Sequence, residues 1–174
     1  MPSPLPPPSG QPAPFTEFKD LEGKRVLIVG LARSGVSLAH FLTECGAVVT
    51  ISDHKSKPEL ASSLEQIEGL NVQLDLGGHS PKVFLAQDVI ILSPGVPPNL
   101  KIFEYARNNG VIVTGEFEFS SWFIKQPIVA VTGTNGKSTT CKLVELFLKE
   151  SGVKCWLGGN FGEPLVEYLR LLKG

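Results

Sequence analysis

The sequence predicts an α/β fold in which helices cover a parallel β-sheet. Three observations support this prediction. Apolar runs of strand length alternate with helical segments, several runs are apolar throughout, as in strands buried on both faces, and glycine-rich turns join strand ends to helix starts. We therefore expect a Rossmann-like parallel-sheet domain, followed by the truncated start of a second α/β domain.

The first elements follow from local patterns. Residues 24–29 are nearly all apolar and end at Gly30, which predicts a buried strand. Apolar residues at helical spacing predict a helix over 34–45, which Gly46 ends, and residues 48–51 predict the next strand. Crossovers of this kind are right-handed, so the two strands should be parallel neighbours. Further strands are predicted at 72–74, 88–92, 111–113, 128–131 and 154–157, and further helices at 58–67, 102–108, 116–124, 138–150 and 164–172.

The chain divides into three predicted segments. Residues 1–17 are expected to be a disordered leader, because the first fifteen residues contain seven prolines and no charged side chain. Residues 18–126 form the predicted Rossmann-like domain. Pro127 marks the linker to residues 127–174, the predicted incomplete second domain.

The composition indicates a globular protein of the cytoplasm. The formal net charge is −1, with 42% hydrophobic and 19% charged residues, which favours neither nucleic acid nor an anionic membrane as partner. No apolar run reaches the length of a membrane span. The three cysteines are scattered, which argues against a disulfide framework and against a zinc site. We expect a monomer.

A phosphate-binding loop is the strongest motif. Residues 129–139 read as a β-branched strand, a glycine-rich turn and a Lys-Ser-Thr helix start, an order that surrounds a polyphosphate with backbone N–H groups. Lys137 is the predicted catalytic residue, reaching the outer phosphates of ATP, and Ser138 is the predicted Mg²⁺ ligand. Val131 stands where the usual pattern has glycine. The predicted ATP-binding residues are Gly133, Thr134, Asn135, Gly136, Lys137, Ser138 and Thr139.

A second glycine turn follows the first predicted strand. Gly30 to Gly35 is similar to the dinucleotide fingerprint, with Ala32 in place of the middle glycine, which weakens a nicotinamide-dinucleotide interpretation. The helix start can still receive a diphosphate. Asp53, at the end of the second strand, lies where an acid would meet a ribose or a base. A tight turn without a ligand is the alternative.

Other polar positions are weaker signals. The loop from Ser93 to Pro97 follows a strand at the sheet's carboxyl edge, where Gly95 would allow close approach of a substrate. Asn160 lies in a glycine-rich loop. His40 and His79 carry no predicted catalytic role, and no Ser/His/Asp arrangement is legible.

Together these motifs resemble the Mur ligase family. The resemblance rests on the Thr-Gly-Thr-Asn-Gly-Lys loop and covers nearly everything from Leu21 onward. The remaining motifs are most similar to the family member that joins D-glutamate to UDP-N-acetylmuramoyl-L-alanine. The resemblance implies that the residues beside the UDP-linked substrate are Arg33, Ser34, Asp53, His54, Ser93, Gly95 and Asn160.

The resemblance also implies a reaction. ATP with Mg²⁺ would phosphorylate the substrate carboxylate, and the amine of D-glutamate would attack the acyl phosphate to give an amide, ADP and phosphate. The family also has the remainder of the central domain and a third domain, and the 174 residues contain neither. We therefore expect the chain to be an N-terminal fragment of a ligase of ~450 residues and to be inactive alone.

Three alternatives stay open. One is another member of the same family, such as the L-alanine-adding ligase or a folylpolyglutamate-type synthetase. A second is a free-standing sensor of a UDP-sugar or a nucleotide. The third, an NAD-dependent oxidoreductase, is disfavoured by Ala32.

Overall fold

The computed structural model of the chain describes residues 13–159 and 162–174. The strands are β1 (Arg25–Val29), β2 (Val48–Asp53), β3 (Val72–Leu76), β4 (Val89–Leu92) and β5 (Ile112–Gly115). The helices are α1 (Arg33–Glu44), α2 (Ala61–Gln66), α3 (Pro81–Leu85), α4 (Lys101–Asn108), α5 (Glu116–Ser121), α6 (Lys137–Glu150) and α7 (Leu165–Lys173). Among the described residues no helix is long and apolar enough to cross a membrane.

The strands form one parallel sheet with the order β3-β2-β1-β4-β5. Its centre is β1, where Val29 pairs with Ser52 of β2 on one side and with Leu92 of β4 on the other. The carboxyl ends of three neighbouring strands therefore meet at one edge. The parallel α/β fold predicted from the sequence is confirmed.

Apolar side chains fill both faces of the sheet. One face packs against α1, α5 and α7, where Phe41, Phe119 and Leu169 are fully buried. The other packs against α3 and α4 through Phe84 and Phe103. Burial on both faces explains why β1 and β4 read as continuous apolar runs.

Three local predictions were wrong, and one helix was missed. The predicted strands at 128–131 and 154–157 do not pair with any strand among the described residues, and Val129 is 69% exposed. A strand needs a neighbour to satisfy its backbone, and local apolar content cannot supply one. The predicted helix 58–67 divides into a 3-10 turn, Pro58–Leu60, and α2. Helix α3 was not predicted.

Helix α6 forms as predicted but stands away from the core. None of its residues is buried, and Leu143, Leu146 and Phe147 expose 48%, 51% and 66% of their surface. Its amphipathic pattern therefore has no packed partner among the described residues. The second domain, expected around this helix, stays a prediction.

Helix α7, which was predicted to belong to the second domain, packs on the Rossmann-like sheet domain instead. Leu165, Val166 and Leu169 belong to the core beside α1 and α5. The Glu116 carboxylate accepts a hydrogen bond of 2.8 Å from the Val166 N–H and one of 3.3 Å from the Ser120 hydroxyl. Burial raises the pKa of Glu116 above its ordinary value, although these hydrogen bonds oppose the rise. The first turn of α7 has no side-chain cap from its own N-cap residue. Glu116 of α5 supplies the cap by accepting the Val166 N–H.

The core also begins earlier than predicted. Phe15, inside the expected leader, is 7% exposed and lies with its ring centroid 6.2 Å from that of Trp122. The Phe15 ring, which follows Pro14, packs against an apolar partner that the composition of the leader does not reveal. The prediction for residues 1–12 lies outside the described residues.

Candidate functional site

A crevice is expected where the chain reverses direction across the sheet. The chain moves outward from β1 through β2 to β3, then returns to β4 on the other side of β1. Ligands of open α/β sheets bind outside the carboxyl ends of the strands at such a point. The turn after β1 and the loop after β4 border this crevice.

The turn from Gly30 to Gly35 is tightly closed. Gly30 has φ +93°, and a Cβ added to Gly35 would lie 2.1 Å from the Gly30 carbonyl oxygen. Both end positions therefore require glycine. Ala32 is the N-cap of α1 and makes no side-chain cap, so the first N–H groups of this 12-residue helix are free to bind an anion.

Ser93 supports this turn from the side of β4. It is 3% exposed, and its hydroxyl donates a 2.7 Å hydrogen bond to the Gly30 carbonyl. The predicted substrate-contacting residue is thus engaged with the protein backbone in this structure. Gly95, two residues later, has φ +93° and nothing within 4 Å of an added Cβ, so it faces open space.

Asp53 supports the same turn from the side of β2. Its Oδ2 accepts a 2.8 Å hydrogen bond from the Leu31 N–H, and its Oδ1 accepts one of 2.9 Å from the Lys55 N–H. The residue is only 5% exposed. His54 is largely exposed, with Nδ1 3.3 Å from Asp53 Oδ1. Of this predicted pair, His54 is the side chain that solvent reaches.

Arg33 joins the turn to the end of the chain. Its Nη1 donates a 2.6 Å hydrogen bond to the Gly162 carbonyl, and its Nη2 lies 3.9 Å from Glu163. The structure therefore brings Gly162 and Glu163, just before α7, beside the start of α1. Ser34 is half-buried in the first turn of α1. The prediction for Asn160 lies outside the described residues.

The phosphate loop has the geometry of an anion cradle. Gly133 and Gly136 have φ +148° and +77°, and Gly136 is the N-cap of α6, so the first-turn N–H groups lack a side-chain cap. The Lys137 ammonium donates to the carbonyls of Gly133 and Thr134. A triphosphate offers the same ammonium stronger acceptors.

The donors of this loop fit ATP better than they fit a metal ion alone. Thr134, Asn135, Ser138 and Thr139 are exposed around the turn. In the described part of the chain, no three His, Cys, Asp or Glu side chains come together to hold a metal. The Ser138 hydroxyl could bind Mg²⁺ only together with phosphate oxygens, as is usual for this ion.

Among the described residues, Ser52, Asp75, His79 and Ser80 form a polar cluster that the sequence analysis missed. The Ser52 hydroxyl lies 2.8 Å from His79 Nδ1 and 3.1 Å from Asp75 Oδ2, and the Ser80 hydroxyl donates to Asp75 Oδ1 at 2.7 Å. One signal could have indicated it. Ser52 and Asp75 end adjacent parallel strands, and a Gly-Gly-His turn follows the second.

Comparison with known proteins gives a consistent result. Residues 24–115 match the model of the family described as Mur ligase MurD-like, N-terminal domain. The chain is 62% identical over 157 residues, 90% of its length, to the UDP-N-acetylmuramoylalanine--D-glutamate ligase of Bdellovibrio bacteriovorus, and 45% identical over 148 residues, 85% of its length, to that of Geobacter sp. strain M21.

These alignments cover 34% and 33% of the two relatives, so the chain spans about a third of the length of the curated relatives it matches. Among solved structures, a pseudomurein peptide ligase type C from Methanothermus fervidus is 29% identical, with a TM-score of 0.44, over 75% of this chain and 27% of that one. The matched residues include the Gly30–Gly35 turn, β2 with Asp53 and the loop after β4. The chain therefore belongs to the Mur ligase family and carries its MurD-like N-terminal domain.

Proposed function

We propose that this chain supplies the UDP-substrate site and the ATP phosphate loop of a ligase that joins D-glutamate to UDP-N-acetylmuramoyl-L-alanine in peptidoglycan precursor synthesis. One observation carries the proposal. The chain contains two separate glycine turns, each opening a helix whose first N–H groups are uncapped. Two such turns suit a reaction with two phosphate-bearing substrates. The 62% identical relative is named UDP-N-acetylmuramoylalanine--D-glutamate ligase.

The first turn would bind the diphosphate of the UDP substrate. The N–H groups at the start of α1 face its negative charge, and Arg33 adds a guanidinium at the same helix start. Ser93 and Asp53 hold the turn in place through Gly30 and Leu31. The substrate carboxylate would then extend toward the loop before α7, which Arg33 contacts through Gly162.

The second turn would bind ATP. Lys137 would exchange the loop carbonyls for the outer phosphate oxygens, and Ser138 or Thr139 would share Mg²⁺ with those oxygens. Mg²⁺ supplies neutralisation of charge during phosphoryl transfer. The γ-phosphoryl group passes to the substrate carboxylate, which otherwise lacks a good leaving group. The amine of D-glutamate then displaces phosphate and forms the amide.

The first experiment measures binding to the chain itself. Isothermal titration calorimetry with UDP-N-acetylmuramoyl-L-alanine and with ATP tests the two turns separately. We expect both ligands to bind, and Lys137→Ala to weaken ATP alone. Binding of neither ligand to a folded chain would refute the proposal. Because both substrates are intracellular nucleotides, the proposal places the protein in the cytoplasm.

The second experiment measures ligation. We would fuse this chain to the part of the Bdellovibrio relative that lies beyond the match and measure ADP release that requires both D-glutamate and the UDP substrate. Lys137→Ala should lower the rate by at least about 100-fold, since one charge-stabilising group is lost from phosphoryl transfer. Lys149→Ala is the matched control, because this lysine lies on the same helix and pairs with Glu145 at 2.7 Å. A folded fusion that is insensitive to Lys137→Ala would contradict the assignment.

A further inference from the structure

A hydrogen-bonded chain of three side chains lies at the carboxyl end of β2 and β3. The Ser52 hydroxyl is 2.8 Å from His79 Nδ1 and 3.1 Å from Asp75 Oδ2. Ser52 is fully buried, while His79 is half-buried with its ring against Phe84, 5.5 Å between centroids. A buried hydroxyl cannot reach a substrate, so this Ser/His/Asp set is not a hydrolytic triad.

The hydrogen-bond partners of Ser52 favour one tautomer of His79. Burial would raise the pKa of Asp75, but the hydrogen bonds from Ser80 and Ser52 outweigh it, so the pKa lies below its ordinary value and Asp75 is an acceptor. Ser52 has one proton and donates it to that carboxylate. The Gly78 carbonyl, 3.4 Å from the Ser52 hydroxyl, is also an acceptor, so His79 Nδ1 is the partner that can donate to the Ser52 oxygen. The neutral imidazole therefore keeps its lone pair on Nε2, which no described residue hydrogen-bonds.

The loop that carries His79 is attached to the end of β2. The Gly77 N–H donates to the carbonyls of Asp53 and Lys55, each at 3.0 Å. At the end of this strand an acid ordinarily accepts hydrogen bonds from the ribose hydroxyls of a nucleotide. Here Asp53 is buried, and both its oxygens accept backbone N–H groups of Leu31 and Lys55. Because Asp53 is only 5% exposed, little of its carboxylate is within reach of a ribose at this edge, and a second acceptor beside it would add a contact.

We propose that His79 Nε2 is that acceptor and binds a ribose hydroxyl of the UDP substrate, with Ser52 and Asp75 as positioning residues that hold the imidazole. This inference rests on the proposed function, because it assigns a contact to the nucleotide that the first turn would bind. The Gly-Gly-His turn alone does not indicate this role in the sequence. The assignment follows from the buried Asp53 and from the tautomer that the partners of Ser52 favour.

The test compares UDP with 2′-deoxy-UDP and 3′-deoxy-UDP by calorimetry on the whole 174-residue chain. Measurements are made at about pH 8, above the usual titration range of histidine. The wild-type chain should bind UDP roughly five- to tenfold more tightly than one of the deoxy analogues, the worth of one hydrogen bond. His79→Asn keeps a donor near the position of Nδ1 but removes Nε2, so this preference should fall to about onefold.

Two further variants make the result specific. His79→Gln places an amide oxygen near the position of Nε2 and should retain part of the preference. His40→Ala is the matched control, because His40 is also half-buried but bonds the Gln66 carbonyl at 2.9 Å on the far end of α1. It should leave the preference unchanged.

The outcomes separate the inference from the proposed function. An unchanged preference in His79→Asn, with UDP still bound, overturns the role of His79 and leaves the proposed function standing. Equal binding of UDP and both analogues by the wild-type chain overturns the ribose contact in the same way. No binding of UDP to the folded wild-type chain refutes the proposed function and this inference with it. Melting temperatures show whether each variant is folded.

Discussion

Removal of the Glu116 side chain should detach helix α7 from the core. In the folded chain the Glu116 carboxylate accepts the Val166 N–H and the Ser120 hydroxyl. Glu116→Ala leaves the Val166 N–H without its partner, which costs about 1–3 kcal/mol, and removes one buried methylene, worth about 0.8 kcal/mol. Relief of the buried charge offsets part of this loss. We expect the free energy of unfolding to fall by about 1–3 kcal/mol.

Glu116→Gln separates the hydrogen bonds from the charge. Its amide oxygen still accepts from the Val166 N–H, so its stability should stay within about 1 kcal/mol of the wild type at neutral pH. The folded wild type holds its Glu116 proton more tightly than the unfolded chain does, because burial raises the pKa. That contribution is full below the ordinary carboxyl pKa and is lost as pH rises through the raised value. Relative to Glu116→Gln, the wild type should lose stability as the pH rises from the ordinary carboxyl range through the raised pKa of Glu116.

The assay is urea unfolding followed by tryptophan fluorescence. Trp156 lies 5.3 Å from Tyr168 of α7, centroid to centroid, and therefore reports on the docking of this helix. Glu104→Ala, which removes an exposed carboxylate on α4, should change stability by less than about 0.5 kcal/mol. The reasoning fails if Glu116→Ala is no less stable than this control, or if wild type and Glu116→Gln share one pH dependence.

Two further predictions concern the turn after β1. Gly35→Ala would place a methyl group 2.1 Å from the Gly30 carbonyl oxygen. It should lower the free energy of unfolding by about 2–3 kcal/mol and abolish UDP binding. A wild-type melting temperature together with wild-type UDP affinity in calorimetry would contradict this prediction. Ser93→Ala should cost about 1–2 kcal/mol in the same thermal assay, because the Gly30 carbonyl loses its donor. Ser93→Ala should also lower the affinity for UDP. An unaltered affinity would show that the turn does not need the hydrogen bond from Ser93.

The sheet and its order of elements could be predicted from the sequence because burial on two faces leaves a clear trace. The strands β1 and β4 are apolar at nearly every position, and glycines bound the helix between β1 and β2. The run at residues 128–131 has the same local character, yet it does not pair. Pairing depends on a neighbour from elsewhere in the chain, which local pattern does not encode.

The sequence also indicated that Gly30, Asp53 and Ser93 lie at the carboxyl ends of neighbouring strands, but not what each polar side chain contacts there. A carboxylate at the end of β2 reads the same whether it meets a ribose or, as Asp53 does, the N–H groups of Leu31 and Lys55. The contact of Ser93 with Gly30 spans 63 positions of sequence. His79 contacts Ser52 of β2, 27 positions earlier in the sequence. Such long-range pairs lie outside the reach of spacing rules.

The supports on either side of the first turn have a consequence for how a ligand is recognised. Ser93 fixes the carbonyl of Gly30 and Asp53 fixes the N–H of Leu31, so the backbone between them is ordered before any nucleotide arrives. The conformational entropy of the turn is lost when the chain folds and not when the complex forms. This preorganisation favours fast association of the nucleotide with little rearrangement of the loop.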